Sequence, residues 1–484
     1  MRHLHVDVVV IGGGPVGENV ADRAVQGGLE TVIVEQDLVG GECSYWACMP
    51  SKALLRPGQA LRAAQAVPGA AEAVTGTLNV PEVLRRRDAF AHNWSDTGQV
   101  RWLQGAGIGL VRGRGRISGE REVTVTADGE AVVISARHAI AIATGSIASM
   151  PDIPGLSAAR PWTSREATST HSIPASLAII GGGVIATEIA TAYSSLGADV
   201  TIIARGNLLE SLEPFVGDRV AESLRSSGVR VQTGTGTIRL DRTADGVVIE
   251  TTRGTVTAAE VLIATGRAPA THDLGLETVG LSPGHWLATD DTLRVPGYDW
   301  LYAVGDVNGR ALLTHQGKYQ ARAAGDVIAA RAKGLLISDT AWGTHVATAD
   351  HVAVPQVVFT DPEIAAVGLT ADQARAAGME IRVLDYNLGF VAGASLSRDD
   401  YNGTARMIVD TKHNVVVGAT FVGPDVAELL HAATTAIVAQ VPIDRLWHVV
   451  PAYPTISEIW LRLLEQYGRP AARSVASREE MTHA

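Results

Sequence analysis

Cysteine is almost absent from this chain of 484 residues, which contains only two. Aromatic residues are scarce too, at 5% of the composition, and no apolar run reaches the roughly 18 residues that a membrane-spanning helix needs. The formal net charge is −11, and no basic stripe suggests a nucleic-acid partner. The chain begins with a strand pattern instead of a secretory signal. These absences predict a cytoplasmic protein that binds neither membranes nor nucleic acid, in which structural disulfides are not expected.

Length and glycine content favour several domains. A chain of 484 residues is long for a single core and predicts about three domains. Hydrophobic residues make up 46% of it, and 51 residues are glycine, which is typical of a globular α/β protein.

The first motif lies at residues 6–36. A β-branched run enters Gly12-x-Gly14-x-x-Gly17, a helix of small residues follows, and a second strand ends at Glu35. The glycines permit a tight turn, close approach of a pyrophosphate and packing of the helix on the strand. The helix amino terminus attracts phosphate, and Glu35 is placed to accept hydrogen bonds from a ribose. The pattern predicts a dinucleotide site; the alternative is a glycine-rich turn without a ligand.

The pattern repeats at residues 176–206, with Gly181 and Gly183 in the second triplet. Two such folds predict two nucleotides. Where the first motif has Glu35, the second reads Ala204-Arg205. A guanidinium in place of the acid favours NADPH, with NADH still possible. The alternative is that Arg205 is an ordinary surface residue.

Three apolar strands end in glycine turns, in the segments AIATGS, LIATGRAPA and LYAVGDVNG. In the third, Asp306 stands where a carboxylate could bind sugar or ribityl hydroxyls, although Asp is also a common turn residue. The candidate cofactor-binding residues in these turns are Thr144, Gly145, Gly266 and Asp306.

Both cysteines lie in the segment GGECSYWACMPSK. In an ideal helix Cys43 and Cys48 would have Cα atoms about 8.6 Å apart, and a disulfide tolerates about 7 Å. A bond between them therefore needs a loop or a distorted turn, for which Gly40 and Gly41 provide backbone freedom. A helix starting near Pro50 would lower the thiol pKa. The segment predicts a redox-active pair, and a structural pair is the alternative.

The order of these motifs resembles the pyridine nucleotide–disulfide oxidoreductases, which include dihydrolipoyl dehydrogenase, glutathione reductase and mercuric reductase. Residues 354–370 resemble the opening strand of that family's dimerisation domain. The resemblance implies a homodimer that binds FAD in the first fold and NAD(P)H in the second. It also implies that Cys48 is the sulfur next to the flavin and that Cys43 meets the substrate. Lys52 and Glu188 match the family's lysine near the flavin and its acidic partner.

The carboxyl-terminal segment departs from the disulfide-reducing members of that family. Where they carry His-Pro-Thr, this chain has Tyr453-Pro454-Thr455, followed by Glu458 in its usual place. Tyrosine, with a reference pKa near 10, is a poor base at neutral pH. A tyrosine here resembles mercuric reductase, but the chain ends without the cysteine pair that delivers the metal there. We expect Tyr453 and Glu458 to belong to the catalytic site.

Two bulky residues, Tyr45 and Trp46, replace the family's usual small residues and suggest an altered entrance that could stack a planar acceptor. The stretch from Leu84 to Phe90 reads LRRRDAF and is expected to be a solvated helix face.

The predicted fold class is α/β, with two Rossmann-like domains and an α+β dimerisation domain. The boundaries are 1–150 (FAD domain, first part), 151–284 (NAD(P)H domain), 285–345 (return to the FAD domain), 346–468 (dimerisation domain) and 469–484 (disordered tail). The predicted activity passes electrons from NADPH through FAD and the Cys43–Cys48 disulfide to a small external acceptor, a disulfide or a metal ion. The alternatives are a quinone reductase of the diaphorase type, a dihydrolipoyl dehydrogenase-like dithiol oxidase and a redox-sensing dimer without catalysis. No resident metal site is predicted.

Overall fold

The computed structural model describes residues 2–469. Residues 2–64, 74–354 and 359–361 form one compact unit, and residues 65–73, 355–358 and 362–469 form a second. The tail predicted at residues 469–484 lies outside the described residues, apart from Arg469.

Strands occur throughout both units. In chain order they are β1 (Arg2–Ile11), β2 (Thr31–Glu35), β3 (Gly109–Arg112), β4 (Arg114–Gly119), β5 (Glu122–Ala127), β6 (Glu130–Ile142), β7 (Ser146–Ala148), β8 (Ser176–Ile180), β9 (Asp199–Ile203), β10 (Arg230–Gln232), β11 (Thr237–Thr243), β12 (Gly246–Thr251), β13 (Gly254–Ala258), β14 (Glu260–Ile263), β15 (Arg267–Pro269), β16 (Leu301–Ala303), β17 (Gln356–Val358), β18 (Glu363–Gly368), β19 (Ile381–Asn387), β20 (Thr404–Asp410) and β21 (Val415–Gly423).

Helices alternate with these strands. The α-helices are α1 (Pro15–Gln26), α2 (Gly41–Tyr45), α3 (Cys48–Gln65), α4 (Val80–Phe90), α5 (Thr97–Gly105), α6 (Leu156–Ala159), α7 (Ser164–Ser169), α8 (Val184–Ser195), α9 (Pro214–Ser226), α10 (Thr314–Ala332), α11 (Ala349–Val352), α12 (Ala371–Ala376), α13 (Ala392–Ser397), α14 (Leu430–Val438), α15 (Ile443–Leu446) and α16 (Ile459–Tyr467). Short 3₁₀ helices lie at Ala71–Ala73, His92–Trp94, Leu276–Val279, Asp306–Asn308, Leu388–Phe390, Ala427–Leu429 and Ile456–Glu458.

The first unit contains a seven-stranded sheet in the order β3-β2-β1-β6-β5-β4, with β16 also paired to β6. Its central pairs, β1 with β2 and β1 with β6, are parallel. Both faces of β1 are covered: Val8 and Val10 pack with α1 and α10, and Val9 and Ile11 pack in a separate cluster. A strand buried on both faces reads as a continuous apolar run, which is the pattern of this segment.

A second sheet in the same unit is entirely parallel, in the order β10-β9-β8-β14. It is accompanied by the antiparallel sheet β11-β12-β13. The parallel strands of both sheets follow the strand–glycine turn–helix–strand order read from the sequence, so the predicted α/β class with Rossmann-like elements is confirmed. The domain boundaries proposed at residues 150, 284 and 345 stay predictions.

The second unit is built on a five-stranded antiparallel sheet in the order β17-β18-β21-β20-β19. Helix α14 packs on β21 and β18, and α16 packs on β19. Strand β21 carries an almost continuous buried run, which includes Phe421 beneath Trp460 of α16. Within residues 2–469, no helix combines the length and the apolar character needed to cross a bilayer.

One prediction about α4 is wrong. The stretch from Leu84 to Phe90 is not a solvated face throughout, because the Arg87 side chain is completely buried. Its guanidinium donates to the carbonyl oxygens of Thr168, in the last turn of α7, and of Thr170, which caps that helix. A buried arginine is stable only when its donors are paired, and here the neighbouring helix end supplies the acceptors.

Candidate active site

The two cysteines lie on two consecutive helices. Cys43 is the third residue of the short helix α2, and Cys48 is the first residue of α3. Gly40 and Gly41 precede Cys43 with φ of 109° and 57°, values that favour glycine. A Cβ atom on Gly41 would lie 2.8 Å from Cα of Gly14, so α2 packs closely on the first dinucleotide turn. The loop or distorted turn that the sequence predicts between the two cysteines is present as a break between the end of α2 and the start of α3.

The two sulfurs have opposite acid–base character. Both cysteines are free thiols, and both are half-buried. The Cys43 thiol donates a hydrogen bond to the Cys48 sulfur, which lowers the pKa of Cys48 below its ordinary value; the Thr314 hydroxyl and the nearby charge of Lys52 lower it further. The same hydrogen bond, together with burial, raises the pKa of Cys43. The lowered pKa of Cys48 and the raised pKa of Cys43 therefore favour a thiolate at Cys48 and a protonated thiol at Cys43.

A salt bridge lies one helical turn beyond Cys48. Nζ of Lys52 on α3 is 2.7 Å from Oε2 of Glu188 on α8, and the Glu188 side chain is only 5% exposed. The other carboxylate oxygen of Glu188 accepts the backbone N–H of Phe359 at 2.9 Å. Lys52 also lies over the Phe359 ring, 5.0 Å from its centroid. The structure thus brings together two residues that the sequence separates by 136 positions.

The first glycine triplet has the close packing that its motif requires. A Cβ atom on Gly12 would lie 2.4 Å from the Ala143 oxygen, and one on Gly17 would lie 1.9 Å from the Gly12 oxygen. Next to Gly14, by contrast, the nearest atom to such a Cβ is 3.9 Å away. Glu35 accepts the Gly13 N–H at 2.6 Å, so the carboxylate holds this turn.

The second triplet repeats that arrangement. A Cβ atom on Gly181 would lie 2.1 Å from the Ala264 oxygen, whereas no atom of the described residues lies within 4 Å of one on Gly183. Gly183 caps α8, and the space beside it is open. Ala204 is buried and Arg205 is exposed. Among the described residues, Arg205 has no hydrogen-bond or ion-pair partner.

The strand-end turns converge on a polar cluster. Oδ2 of Asp306 accepts a hydrogen bond of 2.6 Å from the Ser146 hydroxyl, and burial raises the Asp306 pKa. The Thr144 hydroxyl is buried and has no hydrogen-bond partner among residues 2–469. Gly145 and Gly266 have φ of +75° and +136°, and within residues 2–469 no atom lies closer than 4 Å to a Cβ on either. These turns leave room and an unsatisfied hydroxyl for a ligand.

Tyr453 and Glu458 belong to the second unit, whereas the cysteines belong to the first. Tyr453 is 76% exposed. Glu458 is buried, with Oε1 accepting a hydrogen bond from Arg462. Its Oε2 has no partner within the described part of the chain.

The contact of Thr314 with Cys48 is not predicted from the sequence, and the predicted position of Tyr45 at an entrance is wrong. The Thr314 hydroxyl lies 3.4 Å from Sγ of Cys48, but a threonine at a helix start carries no local signal of that contact. Tyr45 does not line an entrance, because its side chain is fully buried and its hydroxyl donates to the Val39 oxygen. Trp46 is half-buried, and its ring stacks on the Arg165 guanidinium, 3.7 Å from the ring centroid.

Comparisons with known proteins identify the family of this chain. Residues 6–326 match the family described as pyridine nucleotide-disulphide oxidoreductase, and residues 354–463 match its dimerisation domain. The chain belongs to the pyridine nucleotide-disulphide oxidoreductases. It is 31% identical over 477 residues to dihydrolipoyl dehydrogenase of Halobacterium salinarum, with 95% of each chain covered. It is 32% identical over 466 residues to mercuric reductase of Shigella flexneri, covering 94% of this chain and 79% of that protein.

Solved structures show the same fold. The HOCl-induced flavoprotein disulfide reductase RclA from Escherichia coli superposes with a TM-score of 0.80 at 25% identity, covering 95% of this chain and 99% of that one. LpdA from Mycobacterium tuberculosis gives a TM-score of 0.80 at 25% identity, covering 96% and 100%. The predicted family is confirmed, and the protein is an oxidoreductase. Members of this family use FAD and a pyridine nucleotide, and they form homodimers through the dimerisation domain.

Proposed function

We propose that this protein is a homodimeric enzyme that uses NADPH to reduce the Cys43–Cys48 disulfide by way of FAD. The reduced pair then passes electrons to an acceptor that Cys43 bonds directly, which is a disulfide or a thiol-binding metal ion. The observation that carries the proposal is the placement of the two cysteines on the consecutive helices α2 and α3, with Cys48 one helical turn before the Lys52–Glu188 salt bridge.

The residues of the first dinucleotide turn fit FAD. The buried Thr144 hydroxyl has no hydrogen-bond partner in the described part of the chain, and there is open space beside Gly14 and Gly145. Both features suit a ligand with phosphate and hydroxyl groups. Asp306 would accept from ribityl hydroxyls and Glu35 would stand near the ribose. Bound FAD supplies two-electron transfer between the nicotinamide and the sulfur pair.

The cysteine chemistry follows from the protonation states. Reducing the disulfide with two electrons and one proton leaves Cys43 as the thiol and Cys48 as the thiolate, the arrangement that the pKa shifts favour. The positive charge of Lys52 and the Thr314 hydroxyl stabilise that thiolate, and Glu188 orients the lysine. Cys43 is then the sulfur that bonds to the acceptor.

Tyr453 favours the metal ion over the disulfide. Cleaving a disulfide substrate requires a base for the Cys43 proton and an acid for the leaving thiolate, and a phenol is a poor base at neutral pH. Reducing a metal ion held by thiolates transfers electrons without protonating the metal. The mercuric reductases among the relatives support this acceptor class.

Arg205 and Ala204 support NADPH as the donor. An exposed guanidinium with no partner among residues 2–469, beside a buried small residue, suits a 2′-phosphate better than a ribose hydroxyl.

The experiment compares acceptors with the cysteine chemistry removed. Wild type, Cys43→Ser and Ser44→Ala are assayed with NADPH against a small disulfide, mercuric ion bound by a small thiol, and a quinone. We expect Cys43→Ser to lose at least 100-fold on the disulfide and the metal ion, and Ser44→Ala, on the same helix, to retain both activities. Undiminished metal and disulfide reduction by Cys43→Ser would overturn the proposal.

A quinone is the second candidate acceptor, favoured by the absence of a histidine at position 453. Electrons would then leave the flavin directly, and quinone reduction would survive in Cys43→Ser. An enzyme whose only efficient acceptor is a quinone would support this second candidate over the first.

A further inference from the structure

Four side chains connect the Cys43 helix to the polar cluster around Asp306. Glu42, the residue before Cys43 on α2, forms a salt bridge with Arg267, with Oε2 and Nη2 2.8 Å apart. Nε of Arg267 donates to the Ser146 hydroxyl at 2.9 Å, and Nη2 donates to the Ser146 carbonyl at 2.6 Å. The Ser146 hydroxyl in turn donates to Asp306 at 2.6 Å. These four linked side chains form the Glu42–Asp306 chain.

Charge makes Arg267 essential to this chain. It is the cation between two carboxylates, and its side chain is only 18% exposed. Its charge lowers the pKa of Asp306, whereas Glu42 raises it. Without the guanidinium, Glu42 and Asp306 would repel each other, and the Ser146 carbonyl would lose its charged donor.

Helix α2 is able to respond to a change at Cys43. It has five residues and follows two glycines with positive φ, so its position depends on side-chain contacts more than on its own length. A covalent sulfur–sulfur bond is shorter than a hydrogen bond between thiol and thiolate, so disulfide formation must shift Cys43 towards Cys48. Glu42 is the adjacent residue and carries this shift to Arg267.

We propose that Arg267 is a positioning residue that couples the redox state of Cys43–Cys48 to the retention of FAD through the Glu42–Asp306 chain. The inference rests on the proposed function, in which Asp306 contacts FAD and the two cysteines form a disulfide. Coupling between two sites is reciprocal. If bound FAD changes the redox equilibrium of the two cysteines by some factor, oxidation of the cysteines changes the affinity for FAD by the same factor.

The test measures FAD release from the holoenzyme in two states, oxidised and reduced with dithiothreitol, by separating free flavin from protein. In wild type the release rates should differ by about five-fold or more, because the coupling free energy between the two sites acts on the release step of FAD. In Arg267→Met and Glu42→Gln the ratio should fall below about two-fold. Glu42→Gln should leave the release rate of the reduced enzyme close to wild type, because it cuts only the link to α2.

Arg242→Met is the matched control. Arg242 forms a similarly half-buried pair with Glu260, with side chains 22% and 25% exposed. It should keep the wild-type ratio of release rates. If Arg267→Met fails to fold, Glu42→Gln and Arg267→Lys carry the test, and Arg267→Lys should give an intermediate ratio because it retains the charge but not the fork of donors.

The outcomes separate this inference from the proposed function. Thiol titration should find no free thiol in the oxidised enzyme and two in the reduced enzyme; any other count contradicts the proposed function. With those counts correct, equal release rates in wild type would overturn the coupling. Faster release from Arg267→Met with an unchanged ratio would overturn it too, because Arg267 would then only hold the cofactor.

Discussion

The hydroxyl oxygen of Thr314, the first residue of α10, lies 3.4 Å from Sγ of Cys48, although 266 positions separate them in the chain. The contact lowers the pKa of Cys48, after the larger effect of the Cys43 thiol. A hydroxyl that donates to a thiolate stabilises the charged sulfur and loses that advantage when the sulfur is protonated.

Replacing Thr314 with valine should therefore raise the pKa of Cys48 by about one unit, which corresponds to about 1.4 kcal/mol. The measurement is the pH dependence of alkylation by iodoacetamide in a Cys43→Ser background, where Cys48 is the only cysteine left. The alkylation midpoint should move to higher pH in Thr314→Val, while Thr314→Ser keeps the hydroxyl and the midpoint. An unchanged midpoint in the valine variant would show that the hydroxyl does not act on the sulfur.

Arg87 should be among the most sensitive positions for stability. Arg87→Met removes the donors of two carbonyl oxygens, and each buried acceptor left unpaired costs about 1–3 kcal/mol. We expect a loss of about 3 kcal/mol in the free energy of unfolding, measured by urea denaturation. Arg85→Met on the same helix, where the exposed Arg85 pairs with Glu82, should leave the free energy of unfolding almost unchanged. Similar losses in both variants would contradict the role of burial.

Cofactor preference should depend on the end of β9. Arg205→Leu should lower kcat/KM for NADPH by about ten-fold or more and leave that for NADH within about two-fold, because only the 2′-phosphate needs the guanidinium. Ala204→Glu should shift the preference further towards NADH, since a carboxylate repels the phosphate and accepts from the hydroxyl. The measurement is kcat/KM for each cofactor by steady-state kinetics. Equal effects of Arg205→Leu on NADPH and NADH would show that Arg205 does not contact the 2′-phosphate.

Tyr453 should limit turnover of small disulfides. Tyr453→His introduces a group with a reference pKa near 6.5 and should raise disulfide reductase activity, with a rate that increases as pH rises through that value. Tyr453→Phe, which keeps the ring without the hydroxyl, should stay as slow as wild type or slower. A wild-type enzyme that reduces a common disulfide at hundreds per second would already refute this expectation.

Glu18 should make stability depend on pH. Burial raises its pKa from an ordinary 4.5 to about 7, against a smaller opposing effect of Lys318. A raised carboxyl pKa means that ionisation opposes folding, so Glu18 destabilises the protein least below pH 4.5 and increasingly as pH rises towards and through 7. Glu18→Gln should remove this loss and stabilise the protein by up to about 3 kcal/mol above pH 8.

The control for Glu18 is Glu428→Gln, at an exposed position. It should give no pH-dependent gain over wild type in denaturation measured at pH 5 and pH 8. A gain from Glu18→Gln that is equal at both pH values would point to packing instead of titration.

Several features of this protein follow from local sequence alone. A β-branched run before a glycine triplet predicts a buried strand and a tight turn, because only glycine fits where Gly12 and Gly181 press against a neighbouring carbonyl oxygen. The same local rule predicts the parallel strand pairs β1–β2 and β8–β9 and the two nucleotide turns. The spacing of Cys43 and Cys48 predicts a break in the helix, which is where α2 ends and α3 begins.

The partners of individual side chains were decided only by the tertiary structure. Arg87 reads as a solvated charge because its acceptors, the carbonyl oxygens of Thr168 and Thr170, lie about 80 positions away. Thr314 and Arg267 carry no local signal of their contacts with Cys48 and Glu42. Hydrophobic periodicity and turn chemistry act over a few residues. Burial, pKa and ion pairing depend on which distant segments come together when the chain folds.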